Sequence, residues 1–131
     1  MQLRQKKGEN SMKFTAKQHR DLVIFSLEGR VFSMVDAEPL LVSVEEKLSL
    51  GKNLIILNLE KTEYINSEGL NMLLKILTKT RNAGGDCVLC NISGELENLF
   101  IITKLAHIFT IAKSVKASEE YLQNKFGSLA E

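Results

Sequence analysis

The residues from Leu54 to Leu74, LIILNLEKTEYINSEGLNMLL, change hydrophobic period part-way along. Asn53 to Leu59 is a short, nearly continuous apolar run without charge, the pattern of a central strand covered on both faces. From Ser67 to Asn82 the spacing is helical. Leu70, Leu73, Leu74 and Leu77 fall on one stripe, Asn71, Lys75, Lys79 and Asn82 are left to solvent, and Gly84-Gly85 ends the helix. A buried strand feeding an amphipathic helix is the repeating unit of a parallel sheet, because parallel neighbours need a crossover connection.

Working outward, Lys13 to Lys17 reads as a short strand and Asp21 to Glu28 (DLVIFSLE) as a second, joined across the polar QHR segment into an edge hairpin. After Gly29, Ala37, Leu40, Leu41, Val44 and Leu48 recur at helical spacing and predict a helix over Asp36 to Leu50. Asp36 is its expected N-cap, Pro39 is placed in the first turn, and Gly51 supplies the stop. Downstream, Asp86 to Ile92 predicts a strand. Ser93 caps a helix through about Lys104, His107 to Ala112 reads as the last strand, and Ser118 with Glu119 and Glu120 begins a final helix ending near Phe126. The order ββαβαβαβα, with right-handed crossovers, predicts an α/β fold: a mostly parallel central sheet, an antiparallel hairpin at its start, and helices packed around it.

A chain of 131 residues has room for one core and no second. The division expected is a mobile leader over residues 1–11, a domain over 12–127 and a short tail over 128–131. With 17 Lys and Arg against 16 Asp and Glu, the net charge of +1 gives no electrostatic footprint for nucleic acid or an acidic membrane surface. The greasiest stretch, Leu99 to Ala112, is interrupted by Thr103, Lys104 and His107 and falls short of the roughly 20 apolar residues that span a bilayer. MQLRQKKGENS is followed by no apolar core or cleavage site, so a cytoplasmic location is expected.

Few groups could carry chemistry. Cys87 and Cys90 form a CxxC, but on a strand an odd separation sends them to opposite faces, which disfavours a disulfide or a shared metal. His19 and His107 lack a carboxylate or nucleophile at a telling spacing. The chain contains neither GxGxxG nor GxxxxGK[ST]. No catalytic residue, metal ligand or cofactor site is therefore expected. What remains is Thr62 to Leu70, at the carboxyl end of the central strand. There Asn66 or Ser67 can cap the following helix, and Glu68 is favoured by its dipole.

This order of residues resembles the STAS-domain family, the fold of bacterial anti-sigma factor antagonists. Besides LIILNLEKTEYINSEGLNMLL, LEGRVFSMVDAEPL resembles the family's second strand and entry to its first helix, and NAGGDCVLCNISGELENLF its next helix, strand and helix. The likeness covers most of Met12 to Phe126 and implies the STAS fold. In that family the loop usually reads Asp-Ser-Ser-Gly, and the serine before the glycine is phosphorylated by a partner anti-sigma kinase. Aligned on Gly69, Asn66 stands at the aspartate, Ser67 at the first serine and Glu68 at the phosphoacceptor, leaving Ser67 as the substitute acceptor. The resemblance implies a non-enzymatic module that binds an anti-sigma factor of the serine-kinase type and so regulates sigma-factor release and transcription. Its contact residues would be Asn66, Ser67, Glu68, Gly69, Leu70 and Asn71, with Arg30, Phe32 and Ser33 as a secondary surface. Any ATP would belong to the partner. The alternative is a STAS scaffold that self-associates or joins a signalling complex without phosphorylation.

Overall fold

In the computed structural model, which describes residues 12–31 and 34–127, a hairpin opens the chain. Strand β1 (Lys13–His19) pairs antiparallel with β2 (Leu22–Val31), and the reversal passes through Arg20 in a left-handed conformation, φ 59°. Strands β3 (Leu54–Ile65), β4 (Asp86–Cys90) and β5 (Thr110–Ala112) then add in parallel, giving the sheet order β1-β2-β3-β4-β5. The connecting helices are α1 (Met34–Ser49), α2 (Ser67–Asn82) and α3 (Gly94–Ile102). A 3-10 turn over Leu105–His107 precedes β5, and α4 (Val115–Phe126) closes the chain. The α/β architecture, hairpin first and parallel thereafter, is the one the hydrophobic periods predict.

Alternation along the strands sorts the core into two layers. Phe25, Ile55, Leu57, Cys87 and Leu89 face the layer of α1 and α2, where Leu40, Val44, Leu73 and Ile76 cover them. Leu22, Leu54, Ile56, Val88 and Cys90 face the other side, which α4 covers through Leu122. Every residue of β4 is buried, as a central strand with helices on both faces must be. The two cysteines lie on opposite faces, as their spacing predicts, and both are free thiols.

Several boundaries differ from the sequence reading for local physical reasons. Helix α1 begins at Met34, so Asp36 lies inside its first turn rather than capping it, and Pro39 lies beyond the first turn, where it has no N–H to offer the Val35 carbonyl. The proline faces solvent, where water can reach that carbonyl. Strand β2 runs on past Glu28 through Gly29 at φ 100°, with register shifts beside it, and β3 runs past Leu59 to Ile65 as its partner. Strand β1 extends to His19, whereas β4 stops at Cys90 because Asn91 turns left-handed, φ 57°. Helix α3 ends at Ile102, and His107 belongs to the 3-10 turn rather than to β5. Helix α4 starts at Val115 with Ser114 as its cap; Ser118 is buried, its hydroxyl donating to the Ser114 carbonyl at 2.8 Å. The expected leader and tail lie outside the described residues.

Candidate functional site

The carboxyl ends of β2 and β3 meet the amino terminus of α2. Asn66 is extended (φ −98°, ψ −173°), and its side-chain oxygen accepts a hydrogen bond from the Gly69 N–H at 2.9 Å. Its carbonyl accepts the first helical bond, from the Leu70 N–H, also at 2.9 Å. The cap is therefore Asn66, which leaves Ser67 as the first helical residue, exposed and not used for capping. Glu68 is exposed in the first turn, where the helix dipole favours a negative charge. Gly69 and Leu70 are buried and hold the turn against the core, while Asn71 returns to solvent. The outward face of the motif is thus Ser67, Glu68 and Asn71. Gly69 is not in the left-handed region, so no dihedral freedom of glycine is required there.

Of the secondary surface, Arg30 is brought to this rim. It pairs with Tyr64 in the β2/β3 register, and its guanidinium lies 5.4 Å from the centre of the Tyr64 ring, within cation–π range. Phe32 and Ser33 lie outside the described residues.

Beside the loop, and sharing Tyr64 with the Arg30 contact, is a feature that the sequence reading missed. A cleft of about 540 Å³ separates the end of β3 from α3, with Tyr64, Ile65, Leu70, Leu96 and Leu99 on its apolar walls and Glu63, Glu95 and Thr103 among its polar lining. Helix α3 is capped by Ser93, whose hydroxyl accepts from the Leu96 N–H at 3.2 Å. The signal available was Leu99-Phe100-Ile101-Ile102: four consecutive apolar residues cannot all face one core from a helix. Phe100 is buried, whereas Ile101 and Ile102 are 57% and 77% exposed.

Burial pushes the Cys87 thiol far above its ordinary pKa and raises that of Cys90, so neither is poised as a nucleophile. His19 and His107 are exposed. At the opposite end of the sheet, the buried Asp86 accepts from Arg81 Nε and Lys125 Nζ, each at 3.0 Å, and from the Cys87 N–H at 2.8 Å. Burial opposes its ionisation, but these bonds outweigh it and hold the carboxyl below its usual range. This clasp ties α2 and α4 to β4. Among the described residues, no helix is long and apolar enough to cross a membrane, and no group of three or more His, Cys, Asp or Glu is arranged to hold a metal ion.

The family model for the STAS domain matches residues 13–118, which span every strand and the start of α4. The chain belongs to the STAS domain family. A Bordetella bronchiseptica protein named as an anti-sigma factor antagonist, BtrV, is 29% identical to this STAS domain over 107 residues, covering 82% of this chain and 91% of its own. A solved structure from Thermotoga maritima, titled as an anti-sigma factor antagonist, superposes with a TM-score of 0.75 at 25% identity, covering 84% of this chain and 94% of that one. SpoIIAA of Bacillus, solved in its unphosphorylated form, shares the fold with a TM-score of 0.66 at 19% identity, covering 88% of this chain and all of its own. The Bordetella and Thermotoga proteins are both named as anti-sigma factor antagonists, whereas the fold also recurs within a murine anion transporter of the solute carrier 26 family, at 13% identity.

Proposed function

We propose that this STAS domain is a non-enzymatic anti-sigma factor antagonist acting in the cytoplasm. It binds an anti-sigma factor of the serine-kinase type through the rim of Asn66 to Asn71, with Arg30, Phe32 and Ser33 as a secondary surface. The observation that carries the reading is Glu68, an exposed carboxylate in the first turn of α2 at the position the family resemblance assigns to the phosphoacceptor. Occupying the partner's surface displaces the sigma factor by competition, and transcription follows.

A phosphoserine would bring about −1.5 to −2 charges and three acceptor oxygens, whereas Glu68 brings one permanent charge and a planar carboxylate. Glu68 therefore fixes the loop part-way towards the phosphorylated condition, and the partner answers it with a basic residue. Ser67 remains the substitute acceptor. It is exposed and free of the capping role, but its side chain points roughly 100° around the helix from that of Glu68 and so demands a different kinase approach.

Purification of the tagged protein from its native cell, with identification of what accompanies it and intact-mass measurement, tests this reading. A serine-kinase-type anti-sigma factor in the complex is the expected result; recovery of the protein with copies of itself alone would overturn it. That second outcome is the alternative scaffold reading, which the exposed Ile101, Ile102 and Ile108 at the end of α3 and beyond favour as an apolar surface for self-association.

A further inference from the structure

We propose that the cleft between β3 and α3 receives an extended segment of the partner, which adds to the free edge of β3 as a strand and carries apolar side chains flanked by Lys or Arg. The inference rests on the anti-sigma reading of the adjoining loop and extends its footprint along the end of β3 towards α3.

Three observations carry it. Strand β4 pairs with β3 only over Leu54 to Asn58, and β3 then continues from Leu59 to Ile65 with β2 as its one strand neighbour among the described residues. Its other edge carries no ladder: near its start the Glu60 N–H is taken by the Asn58 side-chain oxygen at 3.2 Å, and over Glu63 to Ile65 it borders the cleft, which is the feature that strand addition uses. Beyond that edge the chain does not close up: α3 stands off, leaving a cleft of about 540 Å³ whose walls include Ile65, Leu70, Leu96 and Leu99. That volume suits a few residues of extended chain, with alternate side chains entering the apolar wall. Finally, the charged lining is of one sign. Glu63 and Glu95 are exposed, neither is ion-paired among the described residues, and no lysine or arginine lines the cleft. An acidic rim over an apolar floor selects a basic and apolar occupant and repels an acidic one. The cleft shares Asn66, Ser67 and Leu70 with the proposed docking rim, so a partner seated on Glu68 reaches it without a second encounter.

The probe is the hexapeptide acetyl-Lys-Leu-Arg-Val-Lys-Leu-amide, titrated into the isotope-labelled full chain and followed by amide and methyl resonances. Shifts concentrated on the amides of residues 63–65 and the methyls of Leu96 and Leu99 are expected. Affinity should fall about fivefold or more in the E63K/E95K double variant, whose changes lie on the surface. The same peptide N-methylated at alternate residues, which keeps its charge but loses ladder donors, should bind about tenfold more weakly. Equal binding of the parent and N-methylated peptides, or shifts centred elsewhere, would overturn the proposal. So would an anti-sigma factor that binds the intact rim but is indifferent to E63K/E95K, and that result leaves the proposed function standing. Peptide binding in the cleft without any anti-sigma partner would instead retain the cleft and sink the anti-sigma reading.

Discussion

Replacing Asp86 by Asn removes a buried charge while keeping its shape. The carboxylate is fully buried and makes two charge-assisted hydrogen bonds, whereas the Arg81 and Lys125 side chains that supply them are 41% and 47% exposed. Each such bond contributes about 1.5–3 kcal/mol. An amide oxygen in the Oδ1 place can still accept from both the Cys87 N–H and Arg81 Nε, but the NH2 in the Oδ2 place meets Lys125 Nζ donor to donor. The released cation rehydrates, and the desolvation penalty of the carboxylate disappears, so the loss lies towards the low end, about 2–3 kcal/mol. For a domain of this size that is a fall in Tm of roughly 10 °C. The pH dependence identifies the cause. A carboxyl whose folded pKa lies below its ordinary value of 3.8 contributes stability above that value and loses it as pH falls through the lower, folded one. Urea unfolding of both proteins should therefore show a constant gap from about pH 7 to about pH 5 that closes below about pH 4. A gap under about 0.5 kcal/mol at neutral pH, or one that persists unchanged into strong acid, would refute the reasoning.

Gly85→Ala should be costly because the new Cβ would run into the Asn53 carbonyl oxygen and sit 2.7 Å from the Asn53 Cβ, with backbone on both sides unable to yield; a loss of about 2–3 kcal/mol by thermal melting is expected. Asn66→Ala should cost about 1 kcal/mol through loss of the cap, and Asn66→Asp should recover most of it, as the same unfolding assay will register. Cys87 should resist alkylation in the native protein and react only on unfolding, since burial both excludes reagent and suppresses the thiolate; mass spectrometry after timed labelling reads this directly. Glu68→Ser should acquire phosphate from the cognate kinase if the family's docking geometry persists; under conditions where that kinase is active, an unmodified variant would count against it.

What the sequence could disclose tracks how local the governing physics is. Helix capping obeys a rule confined to one turn, which narrowed the cap to Asn66 or Ser67 before the structure chose Asn66, and the alternation that parts Cys87 from Cys90 needs only the strand period. The charged residues after Leu59 hid the second half of β3, because that half is held by a bulged extension of β2 rather than by burial on both faces. The cleft was invisible for a related reason. It exists because β4 turns away at Asn91 while β3 continues, a difference in length between two strands distant in sequence. The approach of Arg30 to Tyr64 likewise depends on register, which no single segment encodes. Pro39 shows the converse: its rule is local, but the start of α1 at Met34 moved it out of the first turn.

The central claim is that an anti-sigma factor docks on the rim of α2 and feels the charge at Glu68. Titration calorimetry of the serine-kinase-type anti-sigma factor from the same cell against the wild type and the Glu68→Gln, Glu68→Ala and Glu68→Lys variants tests it most directly. One saturable complex is predicted, tightest for the wild type and weakening from Glu through Gln and Ala to Lys, by about threefold or more per unit charge. No complex, or one equally tight for all four proteins, would contradict it.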